Sequence, residues 1–221
     1  MCGRYTPITE NEIVAVRAII RDISIQLSKA QLDDYGGISH EVAPTDQSPV
    51  IIDEQGTPVL EHAKFGFERW DGKGVIINAR SETVTEKTMF KHYVQKGRCV
   101  IPTSGYFEWT PVEGKKKKAK HQIKDKQGNM LFMAGLYRNG NEGREFVIIT
   151  KDPVGEIVDI HDRMPVVLRV DQIEPWLSGD LPIEALSSMD YECIGELCDQ
   201  DVINAESTKQ LSLFDVETDN K

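Results

Sequence analysis

The chain has 221 residues, with 26 basic and 36 acidic side chains and a net charge of −10; its ordinary apolar content fits one well-buried domain. No stretch approaches the ~18 consecutive apolar residues of a membrane helix, and the opening Met1-Cys2-Gly3-Arg4 lacks the basic and apolar regions of a secretory signal. A cytosolic protein without membrane contact is expected, and the acidic balance excludes a uniformly basic nucleic-acid binder, so any such surface must be a local cleft.

Thr9 followed by Glu12 has capping-box spacing. Ile13, Val16, Ile20, Ile23 and Leu27 then recur at helical intervals, which predicts an amphipathic helix over residues 10–29. Residues 49–52 and 59–67 flank Asp53-Glu54-Gln55-Gly56 and predict a hairpin. A short buried strand is expected at 75–77, a helix at 83–96, and strands at 99–101 and 106–110. Lys115-Lys116-Lys117-Lys118 falls in a loop, where a charge run reads first as solvated surface. Beyond it a second hairpin is expected, turning at Lys126-Gln127-Gly128-Asn129. Residues 146–150 read as a strand, a helix ending near Asp159 precedes His161, and 171–199 read as short helices. No repeat or Pro/Gly linker divides the chain. One α+β domain is expected over residues 1–202, with a curved, mostly antiparallel sheet. The polar tail at 203–221 is expected to be disordered; residues 201–221 hold five acids and two lysines, which is −3 of the total charge.

The four cysteines are Cys2, Cys99, Cys193 and Cys198. Their spacing fits no common zinc pattern and a cytosolic setting argues against disulfides, so no metal or cofactor is expected. Cys99 reads as a buried core thiol, and Cys193 and Cys198 as structural; Cys2 stands apart by position. Four polar clusters are each bounded by apolar strands: Cys2-Gly3-Arg4, Asn78-Ala79-Arg80, Tyr106-Phe107-Glu108-Trp109 and His161-Asp162-Arg163-Met164-Pro165. Such strand ends could converge on one pocket. Glu108 draws notice because a carboxylate between Phe107 and Trp109 is costly to bury and its pKa should rise.

Taken in order, Met1-Cys2-Gly3-Arg4, Ala43-Pro44, Ile77-Asn78-Ala79-Arg80-Ser81-Glu82-Thr83, Gly105-Tyr106-Phe107-Glu108-Trp109 and Ile160-His161-Asp162-Arg163-Met164-Pro165 resemble the SRAP family of SOS-response-associated abasic-site processing proteins. The resemblance covers residues 1 to about 180. It implies a barrel-like sheet and covalent capture of abasic sites in single-stranded DNA. A small residue after Met1 lets the initiator be removed, leaving Cys2 with a free amine near pH 8 and a thiol at about 8.5. The amine condenses with the open sugar aldehyde and the thiol closes a thiazolidine, which only an N-terminal cysteine can supply.

By the same resemblance Asn78 orients Cys2 and the sugar, Glu108 moves protons, and His161 contacts the opened sugar. Arg4, Arg80 and Arg163 are suited to phosphates; Trp109 and Trp70 could stack on flanking bases, and Thr150 could line the cleft. Phe65-Gly66-Phe67-Glu68-Arg69-Trp70 departs from the family pattern by lacking a proline, which leaves Trp70 open between base contact and half-buried core. Two other readings stay open. One is a cysteine peptidase or amidase of the N-terminal-nucleophile type; the other is a non-enzymatic DNA-binding adaptor. In the tail, Gln210-Leu211-Ser212-Leu213-Phe214 resembles the peptide that binds the bacterial polymerase sliding clamp, with Leu213 and Phe214 as anchors beside Gln210 and Leu211.

Overall fold

Thr9 and Glu12 cap the first helix in the spacing expected of them. The Glu12 carboxylate accepts from the Thr9 backbone N–H at 2.7 Å, and the Glu12 N–H donates to the Thr9 hydroxyl at 3.3 Å. Two donors that a helix start leaves open are thereby satisfied. The helix, α1, runs Glu10–Asp22 behind a short strand, β1 (Arg4–Thr6), and buries Ile13 and Val16. A computed structural model describes residues 2–22 and 41–198. The expected continuation of α1 to residue 29 and the tail motif at Gln210, Leu211, Leu213 and Phe214 lie outside those residues.

The first hairpin forms as expected between β2 (Gln47–Glu54) and β3 (Thr57–Phe65), in register from Gln47↔Lys64 to Glu54↔Thr57. Its turn residues Gln55 and Gly56 have φ of 56° and 83°, the left-handed pair whose twist matches a two-residue hairpin. Gly66, at φ 108°, then turns the chain out of β3. A Cβ there would sit 2.8 Å from the Val75 side chain, so glycine permits the close approach of β4 (Phe67–Glu68) and β5 (Val75–Ile76) as a two-stranded ribbon. Trp70 lies in the turn of this ribbon.

Three longer strands complete the main sheet: β7 (Arg98–Thr103), β10 (Leu131–Gly140) and β11 (Gly143–Lys151). β3 pairs β2, β2 pairs β7, β7 pairs β10 and β10 pairs β11, all antiparallel. β11 returns to β3 in a parallel contact, Glu145↔Lys64 and Phe146↔Phe65. These five strands close a barrel, which removes the open edges a flat sheet would leave. A further short strand, β6 (Asn78–Arg80), lies parallel to β11 just beyond that closure, with Ile148 opposite Asn78.

Alternation sends the strand side chains to two apolar clusters. Ile51, Val100, Val147 and Ile149 share one with Phe90 of α2 (Thr88–Lys96) and Ile173 and Trp176 of α3 (Val170–Ser178). Val50, Ile52, Phe65, Ile101 and Ile148 share the other with Cys2 and Tyr5. A second sheet covers this latter cluster with Tyr106 and Ile123; its order is β1, β8 (Gly105–Thr110), β9 (Ala119–Asp125) and β14 (Cys193–Leu197). The fold is α+β, a curved and mostly antiparallel barrel with flanking helices. Among the described residues no helix is long and apolar enough to cross a membrane.

Four local expectations need correction. Residues 126–129 do turn the chain, with the Asp125 carboxylate accepting the Gln127 and Asn129 N–H groups at 2.9 Å each. Yet β9 pairs β8 and β14 while β10 pairs β7 and β11, so this is a crossing between sheets and not a hairpin. The helix expected from residue 83 starts at Thr88, because Thr83-Val84-Thr85 is a β-branched run that favours the turns it forms. Val75 and Ile76 are half-buried and pair only with β4. Residues 193–197, expected within helices, are the edge strand β14. Two strands of two residues, β12 (Met164–Pro165) and β13 (Val167–Leu168), follow His161 and pair β11 and β10.

Candidate active site

Cys2 is fully buried at the junction of the two sheets. Its thiol donates toward the Arg4 carbonyl at 3.9 Å, and its own carbonyl accepts from Asn78 Nδ2 at 3.2 Å. Asn78 is fixed because β6 is pinned to β11. Its Oδ1 is buried with no hydrogen-bond partner among the described residues, an acceptor held ready for an incoming donor.

Glu108 sits mid-strand in β8, flanked by β1 and β9, and is 2% exposed. Strand alternation turns Tyr106 and Glu108 to the buried side and Phe107 and Trp109 to the other, where Lys120 Nζ lies 4.0 Å from the Phe107 ring centre. His161 follows a 3-10 turn at Gly155–Asp159, and its Nε2 lies 3.5 Å from Glu108 Oε2. Its Nδ1 is 3.0 Å from the Arg163 N–H and 2.8 Å from Asp162 Oδ1. One lone pair cannot serve both. The Arg163 N–H is a fixed donor, so Nδ1 accepts and the ring proton lies on Nε2, facing Glu108; Asp162 is solvent-exposed.

Burial lifts the Glu108 carboxyl to about 7. Burial also holds His161 below the usual histidine value, helped by the N-terminal charge and, more weakly, by Lys118, and opposed by Asp162 and the Arg163 N–H. The Cys2 thiol is pushed well up by burial and by the Glu108 charge. This corrects the expectation of a readily ionised thiol: the site holds a neutral thiol, a neutral imidazole and a carboxyl close to half-titrated at neutral pH. A group titrating near ambient pH is the most effective proton carrier.

The arginines differ in their availability. Arg163, expected to contact phosphate, is 7% exposed. Its guanidinium donates to Glu82 Oε2 and the Thr150 carbonyl, both at 2.8 Å, and pairs with Asp152. Its acidic partners occupy the charge a phosphate would need, and the residue instead fixes the loop that orients His161. Arg163→Ala is therefore expected to cost about 2 kcal/mol or more of stability, as a broken buried pair does, with little change in the salt dependence of DNA binding. Denaturant unfolding and a salt titration check this. Arg4 is exposed and 3.7 Å from Glu41, and Arg80 is exposed. Thr150 is fully buried and presents no surface to a strand, whereas Trp70 is 91% exposed and is no core residue. Trp109 is half-buried. Cys99 and Cys193 are buried free thiols, while Cys198 is exposed.

Sequence reasoning missed His121. It stands directly opposite Glu108 on β9, and Thr110 Oγ1 lies 2.9 Å from its Nε2. Opposed side chains in an antiparallel pair have Cβ atoms about 5 Å apart, so Glu108 is flanked by two imidazoles. The available signal was the alternation His121, Ile123, Asp125 on one strand face.

Residues 1–195 match the family model described as SOS response associated peptidase (SRAP), and the chain belongs to that family. It is similar to YoqW of Bacillus subtilis, named an abasic site processing protein, with 34% identity over 190 residues and 80% of each chain covered. YedK of Escherichia coli, named in the same way, is 30% identical over 187 residues, covering 82% of this chain and 81% of YedK. A solved protein from Bacteroides thetaiotaomicron has a TM-score of 0.71 over 92% of this chain and 94% of its own, at 22% identity, a likeness of fold.

Proposed function

We propose that this chain processes abasic sites in single-stranded DNA by capturing them as a covalent adduct on Cys2 after removal of Met1. The observation that carries the reading is the convergence of a buried penultimate cysteine on Asn78, a carboxyl near 7 and a neutral imidazole. The relatives' names agree with it. The free Cys2 amine attacks the sugar aldehyde, and loss of one water gives an imine. The thiol sulfur then adds to the imine carbon while its proton passes to the imine nitrogen, closing a thiazolidine. No redox step occurs and one water leaves overall. Glu108 relays these protons, since burial keeps the thiol protonated until its bond to carbon forms. Asn78 holds the cysteine backbone in place, and His161 meets the sugar hydroxyl from the opposite side of Glu108. Arg4 and Arg80 contact phosphate, and Trp109 and Trp70 stack on flanking bases.

A peptidase of the N-terminal-nucleophile type would use the same Cys2 amine as its base; capture is favoured because the relatives are named abasic site processing proteins. Intact mass after exposure to an abasic oligonucleotide should rise by the mass of the strand less one water. No increase, with Met1 removed, overturns the reading. The tail motif at Gln210, Leu211, Leu213 and Phe214 remains a separate proposal, a sliding-clamp tether, testable by binding of a 204–221 peptide to a bacterial clamp.

A further inference from the structure

A single strand held at this site needs cations along its backbone, and the structure withdraws part of the expected supply. Arg163 is committed to Glu82 and Asp152. On a chain of net charge −10, a dense local source of positive charge is then decisive for any polyanion.

Residues 111–118 are the loop that joins β8 to β9, closing on the pair Thr110↔Ala119. Glu108 lies two residues before that pair and His121 two residues after it. At a rise of about 3.4 Å per residue, the loop leaves β8 within ~7 Å of the Glu108 backbone. Lys115, Lys116, Lys117 and Lys118 are all exposed on it. Lys118 is also among the charges that oppose protonation of the His161 imidazole, after burial and the N-terminal charge, in keeping with a loop that springs from the strand ends carrying Glu108 and His121. Lys120, the second residue of β9, lies over the Phe107 ring on the face of β8 away from Glu108 and is paired with Glu41, so the loop lysines act without it. Consecutive exposed lysines suit a strand read without base preference, because ammonium groups on long stems follow a backbone and need no fixed geometry.

We propose that Lys115–Lys118 form the phosphate clamp of this site, holding the backbone of single-stranded DNA at the mouth beside Glu108 and His161. This deepens the capture reading and rests on it for the choice of strand. It assigns function to a charge run that, by sequence, reads as solvated surface.

The test replaces all four lysines in the full chain (Lys115→Gln, Lys116→Gln, Lys117→Gln and Lys118→Gln) and measures binding to undamaged oligothymidylate across a sodium chloride series. Removing one lysine–phosphate pairing with a single strand lowers the log–log salt slope by about 0.7, so the slope should fall in magnitude by roughly 2 to 3. Affinity at low salt should drop about tenfold or more. The same positions changed to arginine should restore both. Because the four side chains are exposed, the melting temperature should stay within about a degree or two of wild type. A salt slope and affinity equal to wild type overturn the clamp. A reduced slope in a protein that forms no adduct with abasic DNA would uphold the clamp and overturn the covalent reading.

Discussion

Cys2→Ala is expected to abolish the denaturation-resistant adduct with abasic single-stranded DNA completely, not to slow it. Alanine keeps the backbone carbonyl that Asn78 holds and keeps the free amine, so an imine can still form. It lacks the sulfur that closes the ring, and an imine hydrolyses. Cys2→Ser separates the two nucleophiles further, because a hydroxyl closes an oxazolidine poorly and should give at most a labile product. A third protein, in which uncleavable residues precede Cys2, retains the thiol and loses the amine. It should give no adduct at all. Denaturing electrophoresis with and without borohydride trapping distinguishes these cases: borohydride should rescue a band for Cys2→Ala and none for the blocked protein. An undiminished adduct in the blocked protein would sink the mechanism.

Glu108→Gln is expected to slow capture by about a hundredfold or more, the usual loss for a positioned proton carrier. It should at the same time stabilise the folded chain at alkaline pH. The wild-type carboxyl is raised from 4.5 to about 7 on folding, so folding favours its protonated form. That contribution is fully present below pH 4.5 and is lost as pH rises through about 7. Above neutrality the protein therefore carries a buried carboxylate whose cost, at about 1.4 kcal/mol per pKa unit, reaches up to ~3 kcal/mol. Glutamine is neutral at every pH and escapes it. Melts at pH 5 and pH 8 should show wild type losing more stability than the variant between the two. A variant less stable than wild type at pH 8 would reject this account, whatever its activity.

The sequence disclosed those parts of the fold in which local chemistry and tertiary outcome agree. Thr9 and Glu12 marked the start of α1 because a capping box is complete within four residues. Gln55-Gly56 marked a hairpin because its partners are adjacent in the chain. The turn at 126–129 carries similar chemistry and was misread, since nothing in a turn states which sheets its flanking strands will join. β12 and β13 are too short for any periodicity to show. In the site, Cys2, Asn78, Glu108 and His161 stood out as polar groups at the ends of apolar runs, and the structure brings them together. Arg163 misled for the opposite reason. Beside a candidate site histidine an arginine looks like a phosphate ligand, and the acid that claims it, Glu82, is 81 residues away. His121 was invisible because its importance lies in facing Glu108 across two strands.

Asn78 reaches the Cys2 carbonyl across 76 residues of sequence, and β11, which pins β6, also closes the barrel against β3. Pairings of such long sequence separation form late, because loop closure must be paid before the contacts repay it. During synthesis the aminothiol emerges first, while the strand that fixes Asn78 and the turn that carries His161 emerge more than 140 residues later. A nascent or half-folded chain thus exposes an ordinary N-terminal cysteine, with no poised carboxyl and no held backbone beside it. On the capture reading, positioned reaction with a sugar held in a strand requires barrel closure, so the rate of adduct formation with DNA during refolding is expected to rise with that step.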